Sequence, residues 1–550
     1  MDYGLALLSG VLLALSFPKF GHPAFAWIAL VPLLIALAGW RRVPKAGARV
    51  RSGADELGLI GAEGQGATPQ RAFRLGLISG IVYFVGTTYW TGEVLQQFGG
   101  VPMALALLAM SLLALYLALF PALTALMVAY LVRGAGRRAL FLAPAVWVAT
   151  EYLRGYLLGG FPWVPLGNSQ VTVLPVAQLA SVFGVYGLSA LVAFVSASLA
   201  YGALSAGRGR FVGFGTAALV GTAVAVWGVL RISDGSLARE GTPLRVGLIQ
   251  GNVAQEDKWN PQEARRIFTT YIAMTRDAVR RGAEFVIWPE SSTPFMFEED
   301  DVGETAVRDL ARELRVPILF GSDQVDRSGN VIRLYNAAFL ITPEGETGGV
   351  YRKIHLVPFG EYIPLKSSVL FFLDKLVEGI GDFQAGPGPT ILSFEQKASR
   401  DGTPSRPVKF GVVICYEVIF PDLVRRLAAS GAEFLVTVTN DAWFGESSAP
   451  SQHFSMVVFR SVENHLAFAR AANTGISGFI DPFGRIIEAS PIFTQAALRA
   501  RIPVRQPYTF YSRHGDVFAY GCMIISLLLC LFGLFGTKGP EPDAVAATPV

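Results

Sequence analysis

Charge is spread along this chain so unevenly that one solvent cannot account for it. Up to about residue 230 the sequence runs as long apolar stretches separated by short loops, at 3–17, 24–40, 73–90, 101–132, 139–158, 174–201 and 211–230, with one more at 516–535. Crossing the hydrocarbon of a bilayer takes about 20 apolar residues. The pattern therefore predicts a polytopic α-helical membrane domain of about eight spans. Only 16% of the residues are charged and 52% are hydrophobic, against about 25% charged in an average soluble domain. With a mean hydropathy of +0.43, that excludes a disordered, fibrous or ordinary cytosolic chain. The stretch at 3–17 is short, and the one at 101–132 fits either a tilted helix kinked at Pro121 or a tight hairpin. Asp2 is the only charge ahead of the first stretch, which does not suit a cleavable signal peptide.

Lysine and arginine counts in short loops set orientation. Loops after the second, fourth and sixth stretches carry Arg41, Arg42, Lys45, Arg49, Arg51, Arg71, Arg74, Arg133, Arg137, Arg138, Arg208 and Arg210, while the opposite side offers Lys19 and Arg154. This bias puts both termini in the cytoplasm. The segment between the seventh and eighth stretches then lies on the far side, the periplasm in a bacterium. The loop at 41–71, rich in Gly, Ala and Arg, reads as flexible. A net charge of +4 is mild, and no nucleic-acid partner is expected. Glu151 and Arg154, at i and i+3 inside an apolar stretch, are costly unless paired or facing water. They read as a pair holding the loop at 160–163, or equally as a purely structural pair.

From residue 232 to about 506 the composition becomes that of a water-soluble domain. Short β-like runs at 244–250, 285–288, 317–321, 335–341, 409–414, 434–439 and 477–480 alternate with helix-like stretches at 262–281, 305–314, 422–430 and 451–472. Such alternation predicts a layered α/β fold. The expected organisation is a transmembrane domain at 1–231, a periplasmic domain at 232–506, a final helix at 507–537 and a disordered cytoplasmic tail at 538–550. Three cysteines, Cys415, Cys522 and Cys530, cannot build a disulfide framework, and no His/Cys/Asp cluster has zinc spacing.

Three patterns in the second region could carry chemistry. The run Phe-Val-Ile-Trp-Pro-Glu ends at Glu290. Its apolar residues make a buried strand, and Pro289 keeps Trp288 extended, so Glu290 emerges at the strand's C-terminal mouth, where α/β proteins place their sites. A solvated carboxylate would read the same way. The second pattern, from Tyr351 to Tyr362, crowds Arg352, Lys353, His355 and Glu361 around Pro358 and Gly360. A charged surface loop is the equal alternative, and His355 alone suits packing or hydrogen bonding better than catalysis. The third, Gly411 to Glu417 followed by Pro421, is a strand, an elbow and a helix. It sets Cys415 beside backbone N–H groups and a positive helix end, which together favour a thiolate. An inert buried cysteine is the competing reading.

Together the three make a coherent acyl-transfer set. A thiol and a carboxylate differ by about four pKa units, roughly 6 kcal/mol, a gap that burial of the acid and an ammonium beside the thiol would narrow. Glu290 then serves as base and Cys415 as nucleophile. Lys353, with the Tyr416 N–H, clamps the oxyanion of a tetrahedral intermediate. No Gly-x-Ser-x-Gly pattern competes.

Trp-Pro-Glu, Arg-Lys-x-His-Leu-x-Pro-Phe-Gly-Glu and Ile-Cys-Tyr-Glu resemble the nitrilase (carbon–nitrogen hydrolase) superfamily. That resemblance implies an αββα sandwich with a Glu-Lys-Cys triad at Glu290, Lys353 and Cys415. With apolar stretches on both sides, the chain resembles the apolipoprotein N-acyltransferase family of Gram-negative inner membranes nearly end to end. The residues at 151–155, 160–163 and 167–170 look like that family's membrane-side motif. Those at 250–252 and 258–259 look like the start of its catalytic domain, and those at 440–444 and 470–475 also fit. The resemblance implies Glu361, Tyr416 and Glu417 as supporting site residues and Trp259 as a loop residue over the acyl site. Trp163 and Asn336 are added as candidate supporting residues. It further implies a phospholipid acyl donor, a diacylglyceryl-lipoprotein acceptor and a Cys415 thioester between them, with no metal or cofactor. The loop at 41–71 is longer than the family pattern.

Two other readings stay open on the residues alone. A membrane-tethered amidase or nitrilase would share the triad but release free acid, and it gives no use for eight spans. A transporter or scaffold would work without Cys415, although few charges within the spans mark an ion or substrate path.

Overall fold

The computed structural model describes residues 1–39, 66–328, 332–362, 383–398, 405–506 and 508–535. Most of the basic loop at 41–71 and the tail beyond Lys538 lie outside these residues.

In the apolar half, Met103–Ala135 forms one helix with Pro121 inside it, which removes the hairpin alternative. Leu105, Leu108, Leu112, Leu115, Leu119 and Leu123 stay exposed along it, an apolar face of the kind that lipid covers. Among the described residues, three helical runs are long and apolar enough to cross a membrane: Met103–Arg154, Ala180–Leu204 and Arg208–Arg239. A fourth arises if Pro69–Thr88 and Trp90–Gln97, bent by 49°, act as one. Asp2–Ala14, Pro23–Ala38 and Val517–Leu531 are apolar but shorter. The eight apolar stretches thus do not all become long helices, because hydropathy does not register breaks. The stretch at 24–40 divides into a 3-10 turn Pro23–Phe25, a single helical turn Ala26–Ala29 and a helix Val31–Ala38 with Pro32 at its start.

Small residues let these helices approach closely. A Cβ on Gly76 would meet the Pro121 carbonyl oxygen at 2.6 Å, and one on Gly80 would meet Ala118 Cα at 2.8 Å. Two glycines one turn apart therefore bring Pro69–Thr88 against the backbone of Met103–Ala135, as small residues do where lipid supplies no hydrophobic drive.

The described residues of the second region form twelve strands: β1 (Thr242–Gln250), β2 (Phe285–Ile287), β3 (Ile318–Asp326), β4 (Arg333–Ile341), β5 (Thr347–Arg352), β6 (Ile391–Gln396), β7 (Arg406–Ile414), β8 (Phe434–Thr439), β9 (Phe468–Ala472), β10 (Gly478–Ile480), β11 (Ile486–Ala489) and β12 (Ala496–Val504). They form two six-stranded sheets in the orders β12-β1-β2-β3-β4-β5 and β11-β10-β9-β8-β7-β6. The triplets β1-β2-β3 and β7-β8-β9 are parallel, and the flanking pairs are antiparallel. The sheets face each other across an aromatic core, with the Phe285 ring centroid 4.8 Å from that of Phe394 and 5.3 Å from that of Phe410. Helices Pro261–Arg280 and Asp301–Leu314 cover the outer face of the first sheet, and Pro421–Ala429 and Ala449–Asn464 that of the second. Strands buried on both faces account for their unbroken apolar runs. The helix expected at 451–472 stops at Asn464, where His465 (φ 51°) turns the chain into β9. Alanine-rich β9 carries no β-branched signal that a sequence reading could use.

The parallel strands fix the site. Glu290 follows β2, Cys415 follows β7 and Asn440 follows β8, all at C-terminal strand ends, while Lys353 directly follows β5.

Candidate active site

Glu290, Lys353, Asn336 and Glu361 form one buried polar knot. Glu290 Oε1 accepts from Asn336 Nδ2 at 2.7 Å and lies 3.5 Å from Lys353 Nζ. Its Oε2 accepts from the backbone N–H of Asn440 at 2.8 Å. Glu361 Oε1 accepts from Lys353 at 2.9 Å and from Asn336 Nδ2 at 2.8 Å, and its Oε2 accepts from the Val357 N–H at 2.8 Å. Burial by itself would lower the Lys353 pKa, but Glu361 and then Glu290 outweigh it and hold the ammonium above its ordinary range. The lysine is thus a fixed positive charge, shared between two carboxylates.

Cys415 sits at φ 52°, in the left-handed region, a conformation that costs a residue with a β-carbon about 1–2 kcal/mol. Glu417 holds the elbow in place. Fully buried, it accepts from the N–H groups of Ile414 (2.6 Å), Ile354 (2.6 Å) and His355 (3.0 Å) and from the Tyr351 hydroxyl (2.9 Å). Burial pushes its carboxyl up to about 7, against the pull of those backbone donors. Glu417 therefore ties the elbow to the segment bearing Lys353, and its carboxylate points at main chain.

Burial raises the Cys415 thiol above its ordinary value and Glu290 adds to the rise, while Lys353 pulls it down. The thiolate expected from a helix start is not favoured here. The elbow opens into a 3-10 segment of five residues, Cys415–Ile419, and burial with the nearby carboxylate dominates. A neutral thiol within the field of the Glu290 carboxylate is compatible with attack assisted by a general base.

The supporting candidates divide. Asn336 and Glu361 orient the charges directly. Tyr416 faces the apolar half, its hydroxyl 3.5 Å from the Gly160 carbonyl oxygen. His355 is a packing residue, its ring centroid 3.7 Å from that of Phe420, and burial pushes its pKa down to about 4. Trp163 is buried between the two halves: its Nε1 donates to Gln452 Oε1 at 2.7 Å and its carbonyl accepts from Arg154 at 2.6 Å. Glu151 Oε1 accepts from the Leu166 N–H at 2.7 Å. Glu151 and Arg154 therefore bracket the loop from either end. Trp259 is 47% exposed.

Sequence reasoning missed two charged groups here. Lys258 is buried, with Nζ 3.4 Å from the Glu290 carbonyl oxygen. Asp323 is buried opposite Asn336 in the β3–β4 register. In sequence Lys258 stood only within the 258–259 motif at the start of the catalytic domain, with no place in the site. Burial raises the Asp323 pKa from 3.8 to about 6, Lys258 opposing and Glu290 adding. The folded state thus binds the extra proton between these pH values, so stability falls as pH rises through that window. Asp323→Asn lacks the titration. In chemical unfolding of the detergent-solubilised protein it should gain on the wild type by up to about 3 kcal/mol between about pH 3 and about pH 7. A difference that stays constant over that range would contradict this.

Two facing six-stranded sheets between outer helices are the architecture of the carbon–nitrogen hydrolase class, and residues 245–506 match the carbon-nitrogen hydrolase family. Residues 57–198 match the apolipoprotein N-acyltransferase N-terminal domain. The chain is 38% identical over 531 residues to the apolipoprotein N-acyltransferase of Geobacter metallireducens, covering 95% of this chain and 93% of that one. It is 34% identical over 524 residues to that of Methylococcus capsulatus, covering 94% and 93%. The chain belongs to the apolipoprotein N-acyltransferase family. Among solved structures, an amidase from Nesterenkonia sp. aligns at 20% identity and a TM-score of 0.36, covering 52% of this chain and 98% of that one.

Proposed function

We propose that this chain is an apolipoprotein N-acyltransferase that moves one acyl chain from a phospholipid to a lipoprotein in two stages through Cys415. In the first, Glu290 takes the thiol proton as Sγ attacks the carbonyl carbon of the sn-1 ester. Lys353 and the Tyr416 N–H hold the oxyanion. The C–O bond breaks, Glu290 returns the proton to the leaving oxygen, and a lysophospholipid departs from the thioester. In the second, the α-amine of an N-terminal diacylglyceryl-cysteine attacks the thioester. The amine's proton passes through Glu290 to the thiolate, and an amide remains. Every bond and proton is accounted for by substrate and side chain.

One observation carries the reading. The nucleophile elbow abuts the apolar half, with Tyr416 against Gly160 and Trp163 wedged behind it. A hydrolase of small soluble substrates gains nothing from that contact, whereas two substrates with lipid tails gain effective concentration from it. A water-poor mouth also favours the amine over hydrolysis. We further assign eight passes, both termini in the cytoplasm and a periplasmic catalytic domain at 232–506 between a helical domain at 1–231 and a last helix at 507–537. The loop-charge asymmetry supports this orientation.

The test uses the full-length protein in mixed micelles containing phospholipid. Intact mass should rise by one acyl chain in a hydroxylamine-labile adduct. A diacylglyceryl-cysteine peptide should then discharge it as a hydroxylamine-stable amide. Free fatty acid with no amide product would identify a hydrolase instead.

A further inference from the structure

Beneath the elbow lies a second polar cluster that the mechanism leaves unused. His453, on helix Ala449–Asn464, is fully buried. Its Nε2 lies 3.2 Å from the carbonyl oxygen of Cys415. A carbonyl only accepts, so Nε2 carries the hydrogen and donates. Its Nδ1 lies 3.1 Å from Arg470 Nη2, which can only donate, and 3.1 Å from Asp441 Oδ1, which can only accept. In the neutral ring Nδ1 accepts from Arg470, in the charged ring it donates to Asp441, and in both Nε2 keeps its hydrogen toward Cys415. Arg470 Nη2 also donates to Asp441 Oδ2 at 2.6 Å, and the Thr439 hydroxyl donates to Asp441 Oδ1 at 2.9 Å. Burial, with Arg470 next, lowers the His453 pKa, in keeping with a neutral ring. Asp441 and Arg470 hold the ring from behind, and its Nε2–H is aimed at the nucleophile's main chain.

The same ring packs against the apolar half. The Trp163 ring centroid is 5.7 Å from that of His453 and the Phe444 centroid 5.9 Å. Gln452, which receives the Trp163 N–H, immediately precedes His453. A row of contacts thus runs from Arg154 through Trp163 to His453 and on to Cys415.

We propose that His453 is a positioning residue, holding the left-handed Cys415 elbow through its carbonyl and seating it against the Trp163 loop. This rests on Cys415 being the acylated residue. Glu417 fixes the N–H side of the elbow, and His453 fixes the carbonyl side. Without that donor the Cys415 peptide can turn and carry Sγ away from Glu290, and a displacement of about 1 Å at a reacting atom costs about 100-fold in rate.

The test measures thioester formation by intact mass in phospholipid-containing micelles. His453→Gln sets an amide N–H where Nε2–H lies, His453→Asn sets it short at the Nδ1 position, and His453→Phe keeps only the ring. We expect Phe and Asn to slow acylation about 100-fold at unchanged KM for phospholipid, and Gln to recover most of the rate. Wild-type acylation in the Phe variant, or equal losses in Gln and Asn, overturns the proposal; the Gln–Asn comparison decides alone should the Phe variant not fold. Trp163→Leu should slow acylation much less in the His453→Phe background than in the wild type, and additive effects would sink the link to the loop. Absence of any thioester on the wild-type protein would instead remove the functional reading itself, and this proposal with it.

Discussion

Cys415→Ser should leave the fold intact and abolish the chemistry. The exchange is nearly isosteric, and Glu417 still receives its four donors because none comes from the cysteine side chain. The melting temperature should therefore stay close to that of the wild type. A hydroxyl is far less acidic than a thiol, and a carboxylate such as Glu290 is a weak base, so the attack loses its driving force. We expect no labile adduct with phospholipid and a fall in acyl transfer of at least about 10⁴-fold, as for the loss of a nucleophile from other catalytic triads. An adduct of unchanged yield on the serine variant would move the nucleophile elsewhere in the protein.

Lys353→Met is the second large effect, and it should strike stability and catalysis together. Methionine fills a similar volume but leaves Glu361 and Glu290 without the ammonium they share, in a site where the lysine side chain is 1% exposed. Breaking a buried ion pair from one side costs about 3–5 kcal/mol, which should appear as a marked drop in the denaturation midpoint. Thioester formation should fall about 10²–10³-fold beyond that, since the oxyanion loses its clamp. Lys353→Arg separates the two. It restores charge and much of the stability, but its planar fork cannot reproduce the ammonium's placement, so acylation should remain depressed. A stable, fully active Met variant would show that Lys353 is only a structural counter-charge.

The part of the site legible in sequence was the part carried by short motifs at strand ends. Glu290 and Cys415 follow apolar runs that can only be buried strands, and the topology of parallel sheets puts their C-terminal ends on one side. Asn440, whose N–H meets Glu290, obeys the same rule at the end of β8, yet its side chain announced nothing. Lys258, Asp323 and the Asp441–His453–Arg470 cluster were not legible as a site, because their meeting is decided by how two sheets and an outer helix stack, and no spacing along the chain encodes that. The apolar half failed differently. Hydropathy located apolar stretches but not the turns at Pro23–Phe25 and Gly136–Leu142 that break them, and three or four of the described helices are long enough to span. The thiolate expected at Cys415 erred by crediting a short helical start over the desolvation of the sulfur and the nearby Glu290 charge.

The chain leaves its helical half just before Thr242 and comes back just after Val504, and those two residues are register partners on β1 and β12. Neighbouring strands lie about 4.8 Å apart, so the two covalent joints to the helical half stand side by side. The rest of the join is non-covalent, carried by pairs such as Trp163 with Gln452 and the Val185 N–H with Glu463. Entry and exit at one point make the second region a single insertion in the path of the chain, one whose ends already touch.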